Sequence, residues 1–250
     1  RDDFESRRLP DGSSVSWPFG YDDIEPYYQV LEAQFGVTGT PDPLAPHDRY
    51  DLREPAAMGD CDRHFFQVMR RSGLHPYRLH SAIRYVAGCD ECGGRFCPND
   101  CKGDARNRLA MPAMQSGRLE VLDGLEVTRI VADRSAARGV LVRRNGQDIE
   151  IKGKAIVLAA GALVTPVLLQ RSLSEAWPRG IGNDHDLVGR YLMFHASDFV
   201  AVWPKERIPR TGPGRTLALR DFYGDGADKR GEVQSMGLSA GYPEIRTFLH

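Results

Sequence analysis

Four cysteines, Cys89, Cys92, Cys97 and Cys101, stand in a Cys-x2-Cys-x4-Cys-x3-Cys array with Lys102 directly after it. Thiolates gathered this closely can hold a soft metal or an iron–sulfur cluster, as comparably tight ferredoxin arrays do. A structural zinc usually keeps its two ligand pairs further apart. A buried or disulfide-linked group of thiols fits the same spacing. Asp90, Glu91 and Asp100 lie among the cysteines and add negative charge to a site that thiolates already make anionic, which weighs against a metal. Of the five cysteines only Cys61 lies outside the array, so a local device is expected rather than a framework of bridges.

The second chemically suggestive stretch is Ala155-Ile-Val-Leu-Ala-Ala160-Gly161-Ala. A short, wholly apolar run ending in small residues suits a strand over 155–160 buried on both faces of a parallel sheet. Thr165 then reads as a helix N-cap, Pro166 as the first helical residue, and Val167-Leu168-Leu169 as the start of the apolar face. The unit is strand, tight turn, helix, and its turn is small where a backbone must approach something closely. Nucleotide sites favour such turns. Many α/β proteins carry the same turn merely to leave a buried strand.

The histidines offer less. His185, between Asp184 and Asp186, is expected to titrate upward if those carboxylates lie close. His195 invites a reading as a catalytic base. His47, His64, His75 and His80 have no metal-ligand spacing. Neither a Gly-x-Ser-x-Gly elbow nor a His-Glu-x-x-His helix occurs.

Regular elements must position these residues. A helix is expected after Trp17-Pro18, with Asp22 and Glu25 as a capping box and Pro26 in its first turn. Its apolar face would carry Ile24, Tyr27 or Tyr28, Leu31 and Phe35, and Gly36 would end it. Residues 37–55 read as an extended surface loop. A second helix is expected over about 62–71, with Phe65, Phe66 and Met69 on one side. Strands are expected at 119–122, 127–131, 139–143 and 148–152, with Asn145-Gly146 as a hairpin turn. Two more are expected near 199–203 and 217–220.

With 33 Lys+Arg against 34 Asp+Glu in 250 residues, no global field attracts nucleic acid or an anionic membrane, and long basic runs are lacking. Mean hydropathy is negative. The longest apolar stretch, 155–164, is about half of what spans a bilayer, so no membrane segment is expected. The first eight residues are mostly charged and open without Met, as expected of a chain that continues upstream, and leave the compartment open between cytoplasm and periplasm.

Three blocks then carry a family resemblance. Gly161-Ala-Leu-Val-Thr165-Pro166-Val-Leu-Leu-Gln-Arg-Ser172 resembles the second signature of the glucose–methanol–choline (GMC) oxidoreductases. Gly182-Asn183 and Val188-Gly189-Arg190-Tyr-Leu-Met-Phe-His195 are similar to the stretch that follows it in that family. Trp17-Pro18-Phe-Gly-Tyr21-Asp22-Asp-Ile-Glu25-Pro26-Tyr27-Tyr28 resembles the segment leading into the family's first long helix. Leu173 departs from the Gly usual after Ser172.

The resemblance implies an α/β (α+β) fold: part of a Rossmann-like FAD-binding domain with a β-meander over residues 1–190, and the start of an antiparallel-sheet substrate domain over 191–250. It implies an oxidoreductase acting on the CH–OH group of an alcohol or sugar, with FAD as cofactor. Val127 matches the position whose backbone meets the adenine edge. Ala160 and Gly161 match the turn beside the adenosine and pyrophosphate, and Thr165 belongs to the same site. His195 matches a structural position. The Gly-rich FAD opening, the block over the flavin and the active-site His are expected outside residues 1–250, so that the piece alone would be inactive. Some bacterial relatives carry an iron–sulfur cluster near the place of the cysteine array, which would imply an electron-acceptor protein as partner. Three rivals stand beside this reading: a non-catalytic remnant or a subunit that works only with the missing segments, a metal-binding or electron-transfer module built on the cysteines, and a different flavoprotein family sharing the Ala-Ala-Gly turn, against which the Val188-Gly189-Arg190 block argues.

Overall fold

A computed structural model describes residues 2–8, 12–45, 48–86, 89, 97–195, 197–202, 205–208, 212–223 and 230–237. It divides into two compact units, residues 1–119 with 201–250, and residues 120–200.

The first unit opens with a short antiparallel pair, β1 (Arg7–Arg8) and β2 (Ser14–Val15). Helix α1 (Tyr21–Phe35) begins after Gly20, whose N–H donates to the Asp23 carboxylate at 2.8 Å. The capping acid is thus Asp23 rather than Glu25, because the helix starts at Tyr21. Pro26 consequently lies inside the helix rather than in its first turn, where it removes one hydrogen bond. Glu25 accepts the Arg49 N–H, and Glu32 the Asp51 N–H at 2.7 Å, so the polar face of α1 holds the following loop. Gly36 ends the helix at φ 68°. Of the expected apolar face, Ile24 and Phe35 are half-buried, while Tyr27, Tyr28 and Leu31 are exposed.

The 37–55 loop is more than a surface excursion. Thr38 and Ser81 exchange backbone hydrogen bonds at 2.9 Å, and Arg53 N–H donates to Val37 O. Asp42 is buried and accepts from Arg220 Nη1 at 3.2 Å. Helix α2 (Asp60–Arg71) places Asp62 in its first turn, where the buried carboxylate accepts the Thr216 N–H, the Thr216 hydroxyl and the Ser235 hydroxyl. These bonds satisfy a charge that burial would otherwise penalise. They fasten α2 to an antiparallel sheet in which β7 (Leu217–Leu219) lies between β3 (Tyr77–Arg78) and β8 (Val233–Gln234). Tyr77, Leu217, Ala218 and Leu219 form its buried centre. A π-helical turn, Arg106–Ala110, runs into α3 (Met111–Gln115).

The second unit is a three-stranded meander with one helix. Strands β4 (Glu126–Ala132), β5 (Ala137–Arg144) and β6 (Gln147–Lys152) pair antiparallel in that order. Asn145 (φ 52°) and Gly146 (φ 79°) make the tight turn expected between β5 and β6, since a right-twisted hairpin needs positive φ at both central residues. Helix α4 spans Gly161–Arg171.

Three expected strands do not form among the described residues. Leu119 is drawn into the end of α3, its N–H donating to Ala113 O at 3.2 Å, and residues 119–122 stay exposed and irregular. Residues 199–202 are exposed and unpaired, and Trp203 lies outside the described residues. The 155–160 run, expected as a buried parallel strand, is irregular and lies on the exterior, with Val157 87% exposed. A strand exists only with a partner ladder, and the described residues provide none beside it.

Candidate functional site

Val127 lies in β4 opposite Val142, and Arg129 lies opposite Leu141, so Thr128 is an extra residue bulged out of the ladder. The Thr128 hydroxyl donates to Leu141 O at 3.2 Å. Val127 is partly open to solvent beside the buried Val142.

Ala160 and Gly161 form the entry to α4. Gly161 has φ 80°, a conformation that other residues adopt only with strain, and a Cβ there would meet no atom within 4 Å. Both residues are exposed, and no side chain caps the helix. Thr165 is a correction to the sequence reading: it lies inside α4 rather than at its N-cap, because the glycine turn starts the helix five residues earlier, at Gly161 with Ala160 as N-cap. The helical period still sets Thr165 on the same face as Gly161, and helix side chains lean toward the N-terminus. The geometry therefore fits a phosphate- or adenosine-facing turn: open N–H groups, small residues and a hydroxyl one turn along.

The tie between β4 and α4 is at the other end of the helix. Ser172 follows α4, is 2% exposed, accepts the Ile130 N–H at 2.9 Å and donates to Leu168 O at 2.6 Å. Downstream, residues 180–190 are held to the same helix. A Cβ on Gly180 would lie 2.7 Å from Gln170 Cα, so only glycine allows this approach. Buried Asn183 donates to Arg179 O and accepts the Val188 N–H at 3.0 Å, and Gln170 Nε2 donates to Val188 O at 2.7 Å. The Gly-Asn and Val-Gly-Arg blocks are thus buttresses of α4. Ile156 and Leu158 turn toward a cavity of about 260 Å³ whose other apolar walls include Ile130, Leu169, Trp177 and Ile181.

The acidic neighbours of His185 are both paired with arginines. Asp184 binds Arg134 at 2.6 and 3.2 Å and is held below the usual carboxylate range by it, while Asp186 pairs with Arg190. The Arg134 guanidinium also stacks 3.9 Å over Trp177. His195 is exposed.

In the cysteine array, Cys97 and Cys101 are buried, and the Cys101 N–H donates to Cys97 Sγ at 3.3 Å. Burial, followed by the hydrogen bond with Cys97, pushes the Cys101 thiol up, so it stays protonated at neutral pH. Cys92 lies outside the described residues. Among those described, no three His, Cys, Asp or Glu side chains are disposed to hold a metal ion. Nor is any described helix long and apolar enough to cross a membrane.

Sequence reasoning missed Ser172 as a buried link and Thr128 as a bulge. The first had a signal, a hydroxyl at a helix end, four residues after Leu168 and just before Leu173. The second had none, because alternation alone cannot locate an extra residue.

A family model described as GMC oxidoreductase matches residues 15–197. The chain is similar to 6'''-hydroxyparomomycin C oxidase of Streptomyces lividus, with 30% identity over 89% of this chain and 45% of that protein. It is 29% identical to 2-methyl-1,2-propanediol dehydrogenase of Mycolicibacterium austroafricanum, over 90% of this chain and 43% of that protein. It is also 29% identical to an oxygen-dependent choline dehydrogenase of Staphylococcus haemolyticus, over 68% of this chain and 29% of that protein. The chain spans less than half the length of these relatives.

Proposed function

The chain belongs to the GMC oxidoreductase family, and from that premise we propose that it supplies the adenosine side of an FAD site in an enzyme oxidising the CH–OH group of a small alcohol or sugar. The observation that carries this reading is the turn at Ala160-Gly161, with its positive φ, uncapped helix start and unobstructed surface, inside the family match. The relatives' names speak for the substrate class: propanediol and choline each bear a hydroxyl on carbon.

On this proposal the flavin, when bound, supplies the hydride acceptor. The chain's own residues bind and orient. N–H groups at the start of α4 would hold the pyrophosphate and adenosine, favoured by the positive end of the helix. Thr165 would offer a hydroxyl one turn along, and the Val127 backbone would meet the adenine edge. Residues 1–190 belong to the FAD-binding domain and 191–250 open the substrate domain.

The test is anaerobic addition of alcohols and sugars to the purified gene product carrying this chain. The proposal expects the visible flavin absorbance to bleach with at least one CH–OH donor. A bound flavin that no alcohol or sugar reduces, but that another donor class does, would refute the substrate assignment.

A further inference from the structure

Strand β4 carries Val127 and helix α4 opens with Ala160-Gly161, so an adenosine site built from both needs one fixed placement of strand against helix. Most of what lies between such elements is apolar and non-directional. Ser172 differs. It is 2% exposed, and its hydroxyl is used in both senses, accepting the Ile130 N–H at 2.9 Å and donating to Leu168 O at 2.6 Å. β4 is an edge strand of the meander. An edge leaves a row of N–H groups without ladder partners, and Ser172 takes one of them. The bond has a direction and a length, which apolar contact lacks, so it sets where along β4 the helix comes to rest. The Ser172 side chain is too buried to reach a ligand itself.

We propose that Ser172 is a positioning residue for the cofactor: it fixes α4 against β4 and thereby sets the Gly161 turn relative to Val127. The proposal rests on the FAD reading above. Removing the hydroxyl leaves the buried Ile130 N–H without its acceptor and frees the helix to slide or tilt.

The test compares Ser172→Ala, Ser172→Cys and Leu219→Ala in the gene product carrying this chain. Leu219, in β7 of the other unit, is 2% exposed and serves as a control for stability alone. FAD dissociation constants come from flavin fluorescence, the environment of the bound flavin from its visible circular dichroism, and stability from thermal melting. Ser172→Ala is expected to weaken FAD binding on the order of tenfold, the size typical of a coupling between two sites, and to alter the dichroism. Leu219→Ala is expected to lower the melting temperature at least as much and leave both flavin signals near wild type. Should Ser172→Ala fail to fold, Ser172→Cys carries the comparison, with a weaker acceptor in nearly the same volume. Ser172 variants whose FAD affinity falls no further than that of Leu219→Ala overturn the proposal alone. A wild-type protein that holds no FAD overturns the cofactor reading and this proposal with it.

Discussion

Val127 and Ile130 face the same side of one strand although they stand three positions apart, because Thr128 is bulged from the ladder. Strict alternation would put them on opposite faces. Their partners, Val142 and Val140, are two apart and share a face with Ile149 and Ile151 of β6. An extra residue in β5, Arg138, compensates near the other end, where Val131 pairs with Gly139 and Ala132 with Ala137.

Deleting Thr128 is therefore expected to keep every other pair of β4 with β5 and to lose the bulge. The loss of its hydroxyl bond costs about 1 kcal/mol. Urea unfolding should show that modest loss. Collapse of the unit on deletion would show that the register is set otherwise.

Gly161 and Gly180 separate two reasons for glycine. Gly161→Ala meets no neighbour and suffers only backbone strain at φ 80°, expected to cost about 1–2 kcal/mol. Gly180→Ala adds a contact of 2.7 Å with both Gln170 Cα and Leu169 O to strain at φ 91°, and overpacking brings roughly 1–3 kcal/mol more. Denaturant midpoints should rank wild type, Gly161→Ala and Gly180→Ala in falling order.

Acid should act on the meander through Asp133, Asp148 and Asp184. Hydrogen bonds from the Ser135 hydroxyl, then from Arg138, hold the Asp133 carboxyl well below its ordinary range; Arg143 lowers Asp148, and Arg134 lowers Asp184. Each folded value lies below the unfolded one, so the stabilisation is present above about pH 4 and is lost as pH falls through the folded values. Melting temperatures should not change with pH through these groups between pH 7 and 5 and should drop in stronger acid, with Asp133→Asn reducing the drop. The effect is small because all three lie in solvent.

Cys101 should resist alkylation. It is 1% exposed and its thiol is pushed up by burial, whereas the thiolate is the reactive form. Mass spectrometry after brief iodoacetamide treatment at pH 7.5 should find Cys61 and Cys89, both half-buried, modified before Cys101, and Cys101 modified only on unfolding.

Much of this was legible in the sequence. Asn145-Gly146 and the alternating strands around it gave the hairpin, and Gly36 gave the helix end, because these signals are local. The start of α4 was misplaced because Thr165-Pro166 imitates a cap, while the positive φ of Gly161 is a property of the folded turn. The 155–160 run reads as a buried strand in composition yet lies exposed, since burial depends on neighbours that a run cannot specify. Of the site, the small residues of the turn announced themselves; Ser172 and the bulge at Thr128 emerge only when two distant segments meet.

The central claim is that the turn at Ala160-Gly161 faces FAD. The measurement that bears on it most directly is the cofactor content of the purified gene product carrying this chain, released by denaturation and identified by its spectrum and mass. The account predicts FAD stoichiometric with the protein. A folded protein that holds no FAD, even after incubation with an excess of it, would contradict the account.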